Sequence, residues 1–192
     1  GLLMSTLLTF RRNFYTSNTM QLIKPQIPTD LTPLENLMDV LEAEDDISEA
    51  LIDTQFGMGA EARGISITES TIIKSDISAM TMENFDIANV EIKNSNLSGS
   101  KFPESNWRAV EIGGSRCSGL DVQNSILKNV QFSNSKLDIV NFRFSKIEGM
   151  VFKDCVLDDV DFYGATLKNV EFIDCTISKI ICPGQQINHI GI

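Results

Sequence analysis

The chain has 192 residues, 26 acidic side chains against 16 basic ones, a single histidine and a formal net charge of −10. That length fits one main domain. The acidic balance argues against direct nucleic-acid binding, which needs clustered Lys and Arg, and no apolar run is long enough to span a membrane.

Residues 1–30 read as an extended or disordered leader. Leu7–Thr19 is hydroxyl-rich, lacks acids and carries Arg11 and Arg12. It has some character of an organelle presequence; the plainer reading is an extension upstream of a start at Met20. The basic residues follow the apolar ones, the wrong order for a secretory signal. Residues 31–46 read as an N-terminal capping helix. Thr32-Pro33-Leu34-Glu35 has the form of a capping box with proline at the first helical position. Leu34, Leu37, Met38 and Leu41 then recur at helical spacing and the pattern ends near Ala43, which predicts a short amphipathic helix.

Residues 47–184 form the repeat. From Ile67 to Ile187 every fifth residue is large and apolar, except Cys117 and Cys182, and a weaker trace runs back through Ile47, Ile52, Gly57 and Ala62. A period of five is neither helical nor that of a flat strand. It describes a short extended segment that turns a corner repeatedly. A second comb lies two residues earlier (Ser125, Val130, Ser135, Val140, Ser145, Met150, Cys155, Val160). Residues two apart on an extended chain share a side, so each unit sends two side chains inward. Small residues accompany Leu or Ile, as in Ser135 with Leu137. Larger ones accompany Phe, as in Val130 with Phe132. A four-sided coil of twenty residues stacks like on like, with Phe132, Phe152 and Phe172 in one column; a three-sided coil does not. The comb predicts six coils over 65–184 and a rod about 29 Å long at strand spacing. Trp107 is oversized for its unit, and small Cys117 ten residues on compensates its volume.

Ser-Lys-Leu-Asp-Ile (135–139), Val-Asp-Phe-Tyr-Gly (160–164), Ala-Thr-Leu-Lys-Asn (165–169) and Val-Glu-Phe-Ile-Asp (170–174) resemble the motif of pentapeptide-repeat proteins. The resemblance covers roughly residues 60–184. It implies an all-β fold, a right-handed quadrilateral parallel β-helix, here with a short N-terminal capping α-helix. Some members of that family carry a C-terminal helical module that makes a dimer, and this chain has none in its tail, residues 185–192. The open edge of the last coil is therefore expected to be exposed or covered by a second copy. Phe144, Val151, Val156, Tyr163, Ile173 and Ile181 read as solvent-side apolar residues near that end and as a candidate protein interface. They predict a homodimer through the C-terminal coils.

Catalytic and metal chemistry are not expected. His189 stands alone in the tail, no Cys-x-x-Cys pair or His cluster offers zinc ligands, and no phosphate loop accompanies Gly113-Gly114. Asp158, Asp159 and Asp161 form an acidic corner without convergent geometry. Cys117, Cys155, Cys175 and Cys182 occupy inward positions and read as reduced core residues of a cytoplasmic protein. Most of the acidity lies in Glu35–Glu61, and no face of a twenty-residue coil carries more than two net charges. The chain thus reads as a non-enzymatic rigid scaffold or protein-binding surface, with no cofactor and no metal. The resemblance adds an alternative, a rod that imitates duplex DNA and binds DNA gyrase or topoisomerase in quinolone resistance. The nearly neutral faces and the lack of a long interrupting loop count against that alternative.

Overall fold

Backbone pairs twenty residues apart set the architecture. In the computed structural model, which describes residues 2–9, 20–182 and 190–191, Ile126 aligns with Lys146 and Phe132 with Phe152. Phe152 in turn aligns with Phe172. In chain order the elements are β1 (Leu2–Thr9), β2 (Thr32–Pro33), α1 (Leu37–Ala43), β3 (Ile47–Ser48), β4 (Ala50–Asp53), β5 (Glu61–Arg63), β6 (Ser66–Ile73), β7 (Thr81–Glu83), β8 (Asp86–Lys93), β9 (Asn106–Gly113), β10 (Ile126–Ser133), β11 (Lys136–Asp138), β12 (Lys146–Lys153), β13 (Val156–Asp158), β14 (Val160–Asp161), β15 (Thr166–Ile173), β16 (Thr176–Cys182) and β17 (Ile190–Gly191). Nearly all pairings are parallel and join successive coils, so the fold is a four-sided parallel β-helix. Taking one coil as reference, its faces are residues 125–129, 130–134, 135–139 and 140–144, called first to fourth below.

The corners recur with the same period. Every fifth residue from Glu49 to Asp174 has a left-handed backbone, with φ between 48° and 75°. Gly, Asn and Asp tolerate that conformation best, and they occupy most of these positions. Between corners the inward pairs fill the rod. Phe132, Phe152 and Phe172 stack nearly parallel at centroid separations of 5.4 and 5.0 Å. Phe142 and Phe162 stack at 4.9 Å on the opposite wall. The two walls meet edge to face, Phe132 to Phe142 at 6.4 Å and 81°. Such pairs each contribute about 0.5–1.5 kcal/mol beyond their buried area.

The small inward residues serve the backbone. The amide of Ser115 donates to Ser135 Oγ one coil on, at 3.1 Å. That hydroxyl donates to the Ser133 carbonyl at 2.8 Å. The same relay runs through Ser75, Ser95 and Ser115 on the third face and through Ser105, Ser125 and Ser145 on the first. A buried N–H left unpaired is costly, so a hydroxyl at this position satisfies a group that the corner removes from the ladder. Trp107 is buried and its indole N–H donates to Ser105 Oγ at 2.8 Å.

The capping helix starts later than Thr32. Thr32–Pro33 is strand β2, paired with β4; the Thr32 amide donates to the Glu49 carbonyl and the Leu34 amide to the Leu51 carbonyl. A backbone extended into the first rung does not also turn into a helix. Asn36 is the N-cap, accepting from the Met38 amide at 3.0 Å. Gln55 Oε1 accepts from the Leu37 amide while its amide nitrogen donates to the Leu34 carbonyl. Leu37 and Leu41 are buried over the first coil. Gly57 makes room for them: a Cβ there would lie 3.1 Å from the Leu37 side chain.

The leader runs back along the rod. The Ile23 amide donates to Asn129 Oδ1 and the Gln26 amide to Asn89 Oδ1, both at 3.2 Å. Three residues of extended chain cover about 10 Å, close to two coils at about 4.8 Å each. This strap lies over the corner between the first and second faces, where Ala109 is buried beside it in the same row. At its far end Leu22 sits close to Gly149. The leader therefore points toward the C-terminal coils, and β1 pairs antiparallel with β16. Strand β17 covers β15. The last coil is therefore not left bare: β1 adds to β16 and β17 to β15 within the same chain.

Candidate functional site

Two corners depart from the Gly, Asn and Asp preference in a way that exposes apolar surface. Ile139 has φ 54° and Phe144 has φ 58°. A β-branched or bulky residue in the left-handed region is strained, by roughly 1–2 kcal/mol, and such strain concentrates where it serves a function. Both side chains face solvent, Ile139 with 69% and Phe144 with 51% of its surface exposed. They stand at the two corners that bound the fourth face.

Between them lies a compact aromatic and cationic group. Phe144 and Tyr163 meet edge to face at 5.7 Å and 85°. The Arg143 guanidinium lies 5.1 Å from the Tyr163 centroid and 5.7 Å from that of Phe144. Asp161 orders the group from below: its Oδ1 accepts from the Tyr163 amide at 2.8 Å, and its Oδ2 lies 3.8 Å from Arg143 Nε. Gly164 is required here because a Cβ would overlap the Phe144 ring. The ring thus rests on bare backbone of the next coil.

The six sequence-predicted interface residues do not form one patch. Phe144, Tyr163 and Ile181 belong to the fourth face, with Ile181 only half exposed. Val156 is exposed on the third face. Ile173 is half-buried on the second, opposite the fourth. Val151, read as solvent-side, is buried, with 4% of its surface exposed; it stands two residues beyond Gly149, where the strap passes. Ile139 and Arg143 were not singled out from sequence. The signal was present for Ile139, an isoleucine at a position otherwise rich in Asn, Gly and Asp.

The other candidates are occupied by structural roles. Asp159 pairs with Lys179 at 2.7 Å and Asp161 with Arg143. Among the described residues no cluster of three or more His, Cys, Asp or Glu is placed to hold a metal. His189 lies outside the described residues. Burial pushes the Cys117 thiol up to about 12. The Cys155 thiol is raised by its hydrogen bond with Cys175 and then by burial. All four cysteines are free. A cleft of about 290 Å³ opens at the corner of the second and third faces, beside Phe56, Asp76, Asn94, Gly114 and Arg116. Its carboxylate is engaged: a hydrogen bond from the Ser78 hydroxyl, outweighing partial burial, holds Asp76 below its ordinary range. The apolar void between the capping helix and Trp107 is about 20 Å³, too small for a ligand. No helix among the described residues is long and apolar enough to cross a membrane.

A family model for pentapeptide repeats, nine copies long, matches residues 132–176. No curated protein matches the sequence. Among solved structures, a trypsin-treated form of QnrB1, a plasmid-mediated fluoroquinolone resistance protein, aligns at 14% identity over 74% of this chain and 78% of that one, with a TM-score of 0.38. HetL, a pentapeptide repeat protein involved in heterocyst differentiation regulation from the cyanobacterium Nostoc sp. strain PCC 7120, aligns at 13% identity over 73% and 82%, with a TM-score of 0.28. Rfr23, a pentapeptide repeat protein from the cyanobacterium Cyanothece 51142, aligns at 13% identity over 70% and 95%, with a TM-score of 0.24. The matched segment contains the stacked Phe column and the Cys155 and Cys175 rungs, and its five-residue register continues without a break back to the first coil. Residues 132–176 are thus similar to the pentapeptide-repeat family, and the rest of the rod continues the same five-residue register.

Proposed function

We propose that the protein is a non-enzymatic scaffold that holds a protein partner against its fourth face, through Ile139, Arg143, Phe144 and Tyr163. The strained, exposed corners carry this reading. Asn or Gly would turn either corner without strain, so the apolar side chains there answer to something other than the coil. Tyr, Phe and Arg are enriched in interface cores. Rings already packed edge to face on a rigid rod also lose little side-chain freedom when covered.

The test uses the full chain and two substitutions, Ile139→Asn and Phe144→Asn. Wild-type protein is used to capture partners from native lysate, and each captured protein is then titrated against the variants. Affinity is expected to fall at least about tenfold for the double variant. Urea unfolding of Ile139→Asn is expected to show equal or greater stability, by up to about 1 kcal/mol. Unchanged affinity in the double variant refutes the assignment of this face.

Imitation of duplex DNA for gyrase or topoisomerase is the weaker reading. Opposite charges alternate along the faces: Glu148 sits between Lys128 and Lys168, Arg63 pairs with Glu83, and Lys136 pairs with Asp138. Residues Glu42, Glu44, Asp45, Asp46, Glu49 and Asp53 are exposed around the cap, at one end of the rod.

A further inference from the structure

The rod is built from parallel pairings, and β1 on β16 is antiparallel. This strand is an addition to the coil and not a further rung of it. Its register runs from Leu2 opposite Cys182 to Thr9 opposite Thr176, with a shift between Ser5 and Leu8. On its other side β16 pairs with β13 and β14, so β1 occupies its free edge. That edge belongs to the segment Thr-Ile-Ser-Lys-Ile-Ile-Cys, whose Ile177, Ile180 and Ile181 are only half-buried. An apolar edge strand of this kind invites another strand, and an extended segment that adds to a sheet edge is held chiefly by main-chain hydrogen bonds.

We propose that the free edge of β16 is a strand-acceptor site, filled by β1 of the same chain when dilute and by β1 of a second copy when concentrated. Two rods then exchange strands reciprocally and join at their C-terminal coils. Two observations and a symmetry argument carry this. The edge accepts this strand in a defined register, so the same strand from another copy fits equally well. The strap delivers the leader toward this end of the rod, and its Ile23 and Gln26 amides are held to the coils by side-chain acceptors. Such contacts let the segment leave without disturbing the coil ladder. The exchange is isologous under a twofold axis: what one copy gives the other returns, which closes the assembly at two. The proposal stands apart from the fourth-face reading, and neither depends on the other.

The test is a cross-link in the full-length protein. Leu2→Cys places a thiol opposite Cys182, where facing Cα atoms in an antiparallel pair lie about 4.5–5.5 Å apart, within disulfide range. Protein equilibrated at about 1 μM and at about 100 μM is oxidised with copper phenanthroline and read by non-reducing gel and peptide mass spectrometry. Leu2→Cys with Cys182→Ser serves as the control and is expected to give neither product. The expected result at the low concentration is a disulfide within one chain, joining the introduced thiol to Cys182. A covalent dimer carrying the same link should rise at least about tenfold at the high one. A link confined to single chains at both concentrations overturns the exchange and leaves only self-closure. The absence of any disulfide between the introduced thiol and Cys182, at either concentration, overturns the acceptor site itself.

Discussion

Ser105 shows how much a single side chain carries in this rod. Its hydroxyl donates to the Phe102 carbonyl at 2.7 Å, accepts the Trp107 indole N–H at 2.8 Å and contacts Ser125 Oγ at 3.0 Å. All of this is buried. Replacing it with alanine leaves the indole N–H without its acceptor where water does not reach. Ser105→Ala is therefore expected to lower stability by about 1–3 kcal/mol in urea unfolding, followed by Trp107 fluorescence. A change under about 0.5 kcal/mol refutes that role. The volume argument for Trp107 and Cys117 was legible in the sequence, since both are inward positions. The indole's partner was not, because a serine two residues away reads equally well as a small spacer.

At the scale of elements, the strap and the capping helix are the parts that local pattern described least well. The strap has no periodicity, yet its amides find Asn129 and Asn89 because extended chain and coil spacing agree at about three residues to two coils. Asn89→Gly and Asn129→Gly keep a residue suited to the corner, where φ is 56° and 55°, and remove the acceptor. Together they are expected to speed hydrogen exchange at the Ile23 and Gln26 amides about tenfold, with amides of the coil ladder unchanged. Unchanged exchange at these two amides removes the strap's anchoring from the account. The capping helix was legible as an amphipathic segment, and its end near Ala43 agrees with the structure. Its start was misread because a Thr-Pro dipeptide suits a helix N-terminus and an edge strand equally. The pairing of Thr32 with the first coil decides between them.

At the scale of the molecule, the rod is solid and its outer charge is mixed. A DNA-like partner surface needs a long acidic strip, and here the ladder Lys128, Glu148, Lys168 alternates in sign along one face. Purified protein at about 10 μM is expected to leave gyrase supercoiling unchanged, with and without ciprofloxacin, which excludes affinities down to that range. Inhibition or protection of supercoiling in that assay overturns the preference for the scaffold reading.

The amino-acid sequence by itself determined the repeat, the inward positions and the number of sides. Which side chains point inward follows from local backbone period alone, and the alternation of Ser–Leu with Val–Phe units is satisfied only when like residues stack twenty apart. Tertiary structure alone decided what lies on the outside. Phe144 and Tyr163 meet only because the coil closes, Leu22 comes to lie beside Gly149 as the leader returns along the rod, and β16 acquires a partner from the opposite end of the chain. These are contacts between residues far apart in the chain. No local period encodes them, because their geometry exists only once the coils have stacked.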